Sequence, residues 1–100
     1  MIHVIATIQL APGRRADFLA EFKTLLPEVR AEVGCIEYGA ATDMTTPIPS
    51  PPIREDVVTV IEKWESVDAL RIHLAADHME SFRQKTQHLV ESLEILVVRP

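Results

Sequence analysis

Three segments of this chain carry apolar residues on both of their alternating faces, and this constrains the fold more than any other feature. In Ile2 to Leu10 (IHVIATIQL) one set is Ile2, Val4, Ala6, Ile8 and Leu10, while the other still contains Ile5 beside His3, Thr7 and Gln9. Val57 to Trp64 (VVTVIEKW) and Leu93 to Arg99 (LEILVVR) repeat the pattern, with the β-branched content expected of strands. Such strands need cover on two sides.

Helical spacing fills the intervals. From Arg14, after the Pro12-Gly13 break, Phe18, Phe22, Leu25, Leu26, Val29 and Val33 fall three and four apart on one stripe that Gly34 ends, with a kink or restart expected at Pro27. Cys35 to Asp43 reads as a second strand weakened by Gly39. Met44 to Asp56 holds Pro47, Pro49, Pro51 and Pro52 and must be an irregular loop. Ser66 is placed to cap a short helix, Val67 to Leu74. Asp77 with Glu80 resembles a capping box before a second stripe of Met79, Phe82, Thr86, Leu89, Val90 and Leu93.

The resulting order, β-α-β-β-α-β, is that of an α+β, ferredoxin-like split β-α-β fold with a four-stranded antiparallel sheet, formed by one domain over residues 1–100. Two helices cover one side of such a sheet. The most economical cover for the other side is a second copy, which predicts a two-fold homodimer joined sheet to sheet.

Charge and composition exclude several classes of function. Ten Lys and Arg against fifteen Asp and Glu leave a net charge of −5, and the largest basic cluster is Arg14-Arg15, so no nucleic-acid partner is expected. The single cysteine, the absence of a secretory signal and the lack of any membrane-length apolar run point to the cytoplasm and to no membrane association. Gly13, Gly34 and Gly39 are the only glycines and form no phosphate-binding loop, so neither ATP nor a dinucleotide has a berth. No metal site is expected either. His73 and His78 are five apart, about 140° around a helix, so they do not converge, and Cys35 lacks a neighbouring base to activate it.

What remains is a cluster around the third strand and the helix after it. Val58, Val60, Glu62 and Trp64 share one face, and the helix can turn Val67, Leu70, His73 and Leu74 toward it. An aromatic wall, an imidazole and a carboxylate in an apolar cavity can bind a flat organic molecule and move a proton. The same spacing also fits a core Trp64, a hydrogen-bonded His73 and a solvated Glu62.

Glu32 to Tyr38 (EVGCIEY), Val60 to Trp64 (VIEKW), and Ser66-Val67-Asp68-Ala69-Leu70 with His73, His78 and Phe82 together resemble the antibiotic biosynthesis monooxygenase family of dimeric α+β barrel proteins. The resemblance spans nearly the whole chain. It implies a homodimer whose sheets form a barrel, with a pocket between helices and sheet in each subunit. Enzymes of the family oxygenate quinols, anthrones and related polyketide aromatics with O2 and neither metal nor flavin. On that basis His73 or Glu62 is the expected base and Trp64 a wall and hydrogen-bond donor. Tyr38, Leu70, His78 and Phe82 are then expected to line the pocket around a small aromatic or quinol-like ligand, with no cofactor.

The related haem-degrading branch pairs a first-strand Asn with the strand-end Trp and a helix His, and Ala6-Thr7-Ile8 supplies no Asn, so haem degradation ranks lower. Proton transfer on a small metabolite, or ligand binding without catalysis, would use the same fold. The Pro-rich loop, longer than a simple strand connection, is free to cover the pocket, reach the partner or sit as a surface insertion.

Overall fold

The computed structural model describes residues 1–100 as seven elements: β1 (Ile2–Leu10), α1 (Arg15–Arg30), β2 (Cys35–Ala41), β3 (Val57–Trp64), α2 (Val67–Ala75), α3 (Asp77–Thr86) and β4 (Val90–Val98). The sheet is antiparallel with order β2-β3-β1-β4, the ferredoxin-like arrangement. It is an open sheet with the helices against one face.

The side-chain alternation of β1 decides which face is the core. Ile2, Val4, Ala6, Ile8 and Leu10 are buried, and they meet Val58, Val60 and Trp64 of β3 and Phe18, Phe22, Leu25 and Val29 of α1. Tyr38 continues this face onto β2, opposite Glu62 in the ladder. Across the open face, Ile5 pairs directly with Ile61 on one side and Leu96 on the other, forming an apolar row that is 40%, 45% and 52% exposed in that order.

Several boundaries differ from the sequence reading. α1 runs through Pro27 and stops at Arg30, so Val33 lies beyond the stripe and in solvent. The tie that finishes it is Arg30, whose guanidinium donates from Nε and Nη2 to the Tyr38 carbonyl at 3.1 and 3.0 Å. β2 ends at Ala41 rather than Asp43, because Asp43 turns to Arg54. Its carboxylate accepts from the Arg54 backbone and guanidinium at 2.9 to 3.0 Å, closing the base of the Pro-rich loop, and this holds the Asp43 carboxyl at about 2.

Ser66 caps α2 as its position predicts, accepting from the Ala69 N–H at 3.1 Å. Asp77, in contrast, is no cap. Extended backbone at Ala76 separates α2 from α3, and Asp77 is already the first helical residue, placed where its charge favours the helix dipole. α3 ends at Thr86. Leu89 turns back to the Thr86 carbonyl at 2.8 Å and its own carbonyl accepts from Ala11, so the chain enters β4 at Val90, three residues earlier than the apolar run suggests. None of the helices is long and apolar enough to cross a membrane.

Candidate functional site

Gly34 sets the approach of the elements that build the site. Its φ is +88°, and a Cβ there would lie 2.7 Å from the Ala69 Cβ, so only glycine lets α2 close on the turn after α1. Its carbonyl accepts from Glu65 N–H at 2.9 Å. That docking brings Glu32, just before the glycine, against two histidines distant in sequence. Glu32 Oε2 lies 2.8 Å from His73 Nδ1 and 2.8 Å from His78 Nε2.

The two histidines therefore do converge, contrary to the helical-rotation argument. The two residues lie on separate helices, because the extended residue Ala76 redirects α3 and turns His78 back toward α2. A carboxylate oxygen accepts, so both ring nitrogens facing it carry the hydrogens, which assigns His73 the Nδ1–H tautomer in its neutral form. His73 Nε2 is left with its lone pair, and the one hydrogen bond of the ring is the Nδ1 contact to Glu32. Only 1% of His73 is exposed, and burial lowers its basicity against the opposing pull of the Glu32 hydrogen bond.

A cavity of about 330 Å³ lies between the sheet and the helices. Its walls include Phe18, Phe22, Tyr38, Met79, Phe82, Leu93 and Ile95, and its polar members are Glu62, His73, Arg83, Thr86 and Gln87. The aromatic walls are mutually braced: Phe22 stacks on Tyr38 with centroids 5.5 Å apart, and Phe18 meets Phe82 edge to face at 5.6 Å. Burial drives the Tyr38 hydroxyl far above its ordinary range, with Glu62 adding to the effect, so it stays a neutral donor.

Of the seven residues singled out from the sequence, Glu62, His73, Tyr38 and Phe82 line this cavity, and Trp64, Leu70 and His78 do not. Trp64 is fully buried behind it. Its ring lies 4.5 Å from that of His73, and its Nε1–H donates to Glu62 Oε1 at 2.8 Å. Trp64 thus braces Glu62 and His73 from behind rather than forming the wall. Burial raises the Glu62 pKa despite this hydrogen bond. Leu70 belongs to the core, and His78 opens onto a separate cleft.

Glu32, Arg83 and Gln87 were missed as site residues. Glu32 sits in the EVGC segment that carries the family resemblance, but its partners are 41 and 46 residues away, beyond any local periodicity. Cys35 is no rival nucleophile, since burial and the nearby Glu32 and Glu62 raise its thiol pKa.

Fold and site define a ferredoxin-like α+β protein with an apolar, aromatic-walled cavity served by one imidazole and one carboxylate. The family model for antibiotic biosynthesis monooxygenases matches residues 1–85, and the chain belongs to that family. It is 30% identical over 102 residues to the "Probable quinol monooxygenase YgiN" of Escherichia coli K12, covering 100% of this chain and 98% of that one. The crystal structure of PA3566 from Pseudomonas aeruginosa superposes with a TM-score of 0.82 at 26% identity, covering 99% and 92% of the two chains. A conserved protein from Methanosarcina mazei Go1 superposes at 0.81 and 26%, covering 98% and 90%.

Proposed function

We propose that this protein oxygenates a small quinol or polyketide-like aromatic with O2, the substrate itself supplying the electrons. One observation carries the reading: the aromatic-walled cavity contains a histidine whose Nδ1–H is tied to Glu32 and whose Nε2 keeps its lone pair. Nε2 takes the phenolic proton, and the adjacent carboxylate stabilises the imidazolium that forms, the division of labour seen wherever a carboxylate orients a histidine base. The aromatic anion left behind is electron-rich enough to reduce O2, while the apolar walls keep water out. Tyr38 and Arg83 line the cavity and offer O–H and N–H donors for oxygen atoms of a bound ring, although Arg83 Nη2 also donates to the Leu74 carbonyl and the Glu80 carboxylate. A cavity of this volume is at the small end of ligand pockets, roughly 300–1,000 Å³, and suits one or two fused rings.

Oxygen uptake with a panel of hydroquinones and anthrones tests the reading. Uptake should be detectable with at least one of them, and His73→Ala should lower kcat by about 10²- to 10⁴-fold. Unchanged turnover in that variant would remove His73 as the base.

A second reading, proton transfer without oxidation, draws on the carboxyl of Glu62 and the imidazole of His73 lining one cavity, where burial pushes the first toward holding its proton and the second toward losing it. Turnover under anaerobic conditions would favour it. In either case the exposed row Ile5, Ile61 and Leu96 supports a homodimer with that face covered by a second copy. Sedimentation at micromolar concentration should give twice the chain mass.

A further inference from the structure

We infer that Glu32, His73 and His78 form a binding site for a borderline divalent cation of the zinc type, and that its occupation switches off the base proposed above. The donors are a carboxylate and two imidazoles, the set that zinc takes in His2Glu sites. They come from three different elements, the turn after α1, α2 and α3, and all three ligand atoms lie within 4.8 Å of one another. Metal bonds of about 2.0–2.1 Å in tetrahedral geometry require donor atoms about 3.3 Å apart. The two 2.8 Å contacts to Glu32 Oε2 then open by about half an ångström, and the two imidazole nitrogens, within 4.8 Å of each other, close toward the same spacing of about 3.3 Å by side-chain rotation.

Two further features separate this cluster from an ordinary buried hydrogen-bond network. His78 lies with Nδ1 3.9 Å from Glu28 Oε2. With Nε2 on the cation, its proton sits on Nδ1 facing that carboxylate, which is the outer-shell partner metal-bound histidines generally have. The cluster also has an entrance. A cleft lined by Glu21, Glu28 and Asp77, with Lys85 as its one cation, opens onto His78, and three carboxylates there attract a divalent ion. Water from the cleft completes the coordination.

The consequence for the cavity follows from tautomerism. A cation at Nδ1 of His73 needs the lone pair on that atom, so the ring proton moves to Nε2. The nitrogen facing the cavity then becomes a donor and can no longer accept a proton from substrate. This second half of the inference rests on the proposed role of His73, whereas the binding half does not.

Titration of the metal-free protein with Zn²⁺ by calorimetry, with thermal unfolding alongside, tests the binding half. The expected result is one Zn²⁺ per chain and a raised Tm, with affinity falling about a hundredfold or more in His78→Ala and in Glu32→Gln, and about tenfold in Glu28→Gln. Affinity unchanged in all three variants, or no binding at submillimolar Zn²⁺, would overturn the site. For the switch, Zn²⁺ should suppress oxygen uptake reversibly on chelation. The concentration for half-inhibition should rise at least tenfold in His78→Ala, measured against that variant's own metal-free rate. Tight binding to folded protein with undiminished turnover would leave the site standing and overturn the switch. Absence of turnover with or without metal would count against the oxygenase reading alone.

Discussion

β3 and β4 flank the same strand, are both apolar and pair with β1 over most of its length, yet one is the most buried strand of the protein and the other the most exposed. The difference lies in what stands above them. The helices cover β2, β3 and β1, so β3 can hold even a carboxylate, Glu62, with a single indole partner. Over β4 the cover stops short. Leu93 and Ile95, although on the helix side, remain about half exposed and form the outer wall of the cavity. The covered strand carries Glu62 and lies under His73 of α2, and the uncovered one gives the cavity its opening, so the division between a buried and an accessible half runs along β1.

Substitutions that disturb packing in the buried half should cost more than those on the exposed face. Trp64→Ala, in the covered half, should cost about 3–5 kcal/mol, since it removes a fully buried indole and leaves Glu62 without its donor. Denaturant unfolding measures this. A loss below about 1 kcal/mol would mean that the covered half is not packed as described. Gly34→Ala should cost about 2–3 kcal/mol from the positive φ and the clash with Ala69, and should uncouple the Glu32 contacts of His73 and His78. The histidine ring resonances in NMR spectra would report that uncoupling directly.

Glu62→Gln probes the cost of burying an acid. The folded pKa of Glu62 is raised, so its contribution is most favourable below the unfolded value, near 4.5, and stability is lost as pH rises from there through the folded pKa. Glutamine keeps an acceptor for the Trp64 N–H and has no charge. The variant should therefore unfold a few degrees higher than the parent at pH 8, with a flatter Tm profile above pH 4.5. A Tm at pH 8 equal to or lower than the parent's would contradict the raised pKa. On the exposed side, Leu96→Glu should change the far-UV circular dichroism least, because the side chain is half in solvent in a single chain. Its effect should appear as a halved sedimentation mass.

Much of this was legible in the order of the residues. The two-faced strands, the Pro-rich interruption and the Ser66 cap lead to the split β-α-β plan because each depends on neighbours two to four residues away. The short range of those signals also explains the misses. Leu89 and Val90 continue the helical stripe numerically, but β1 recruits Val90 into the sheet, a long-range pairing that local spacing does not register. Trp64 and Glu62 were rightly placed on one face, while the depth of Trp64 behind His73 depends on how α2 packs.

Alternation along β1 and β3 determined which side chains share a face, since the period of two is a property of the backbone itself. The residues EVGC and the paired histidines were present in the chain without any indication that they meet. Their meeting depends on a glycine with positive φ that lets two helices approach and on a single extended residue that turns one helix from the other. Such contacts across more than 40 residues arise only when the chain is folded, because sequence periodicity carries direction around an element and says nothing of the distance between elements.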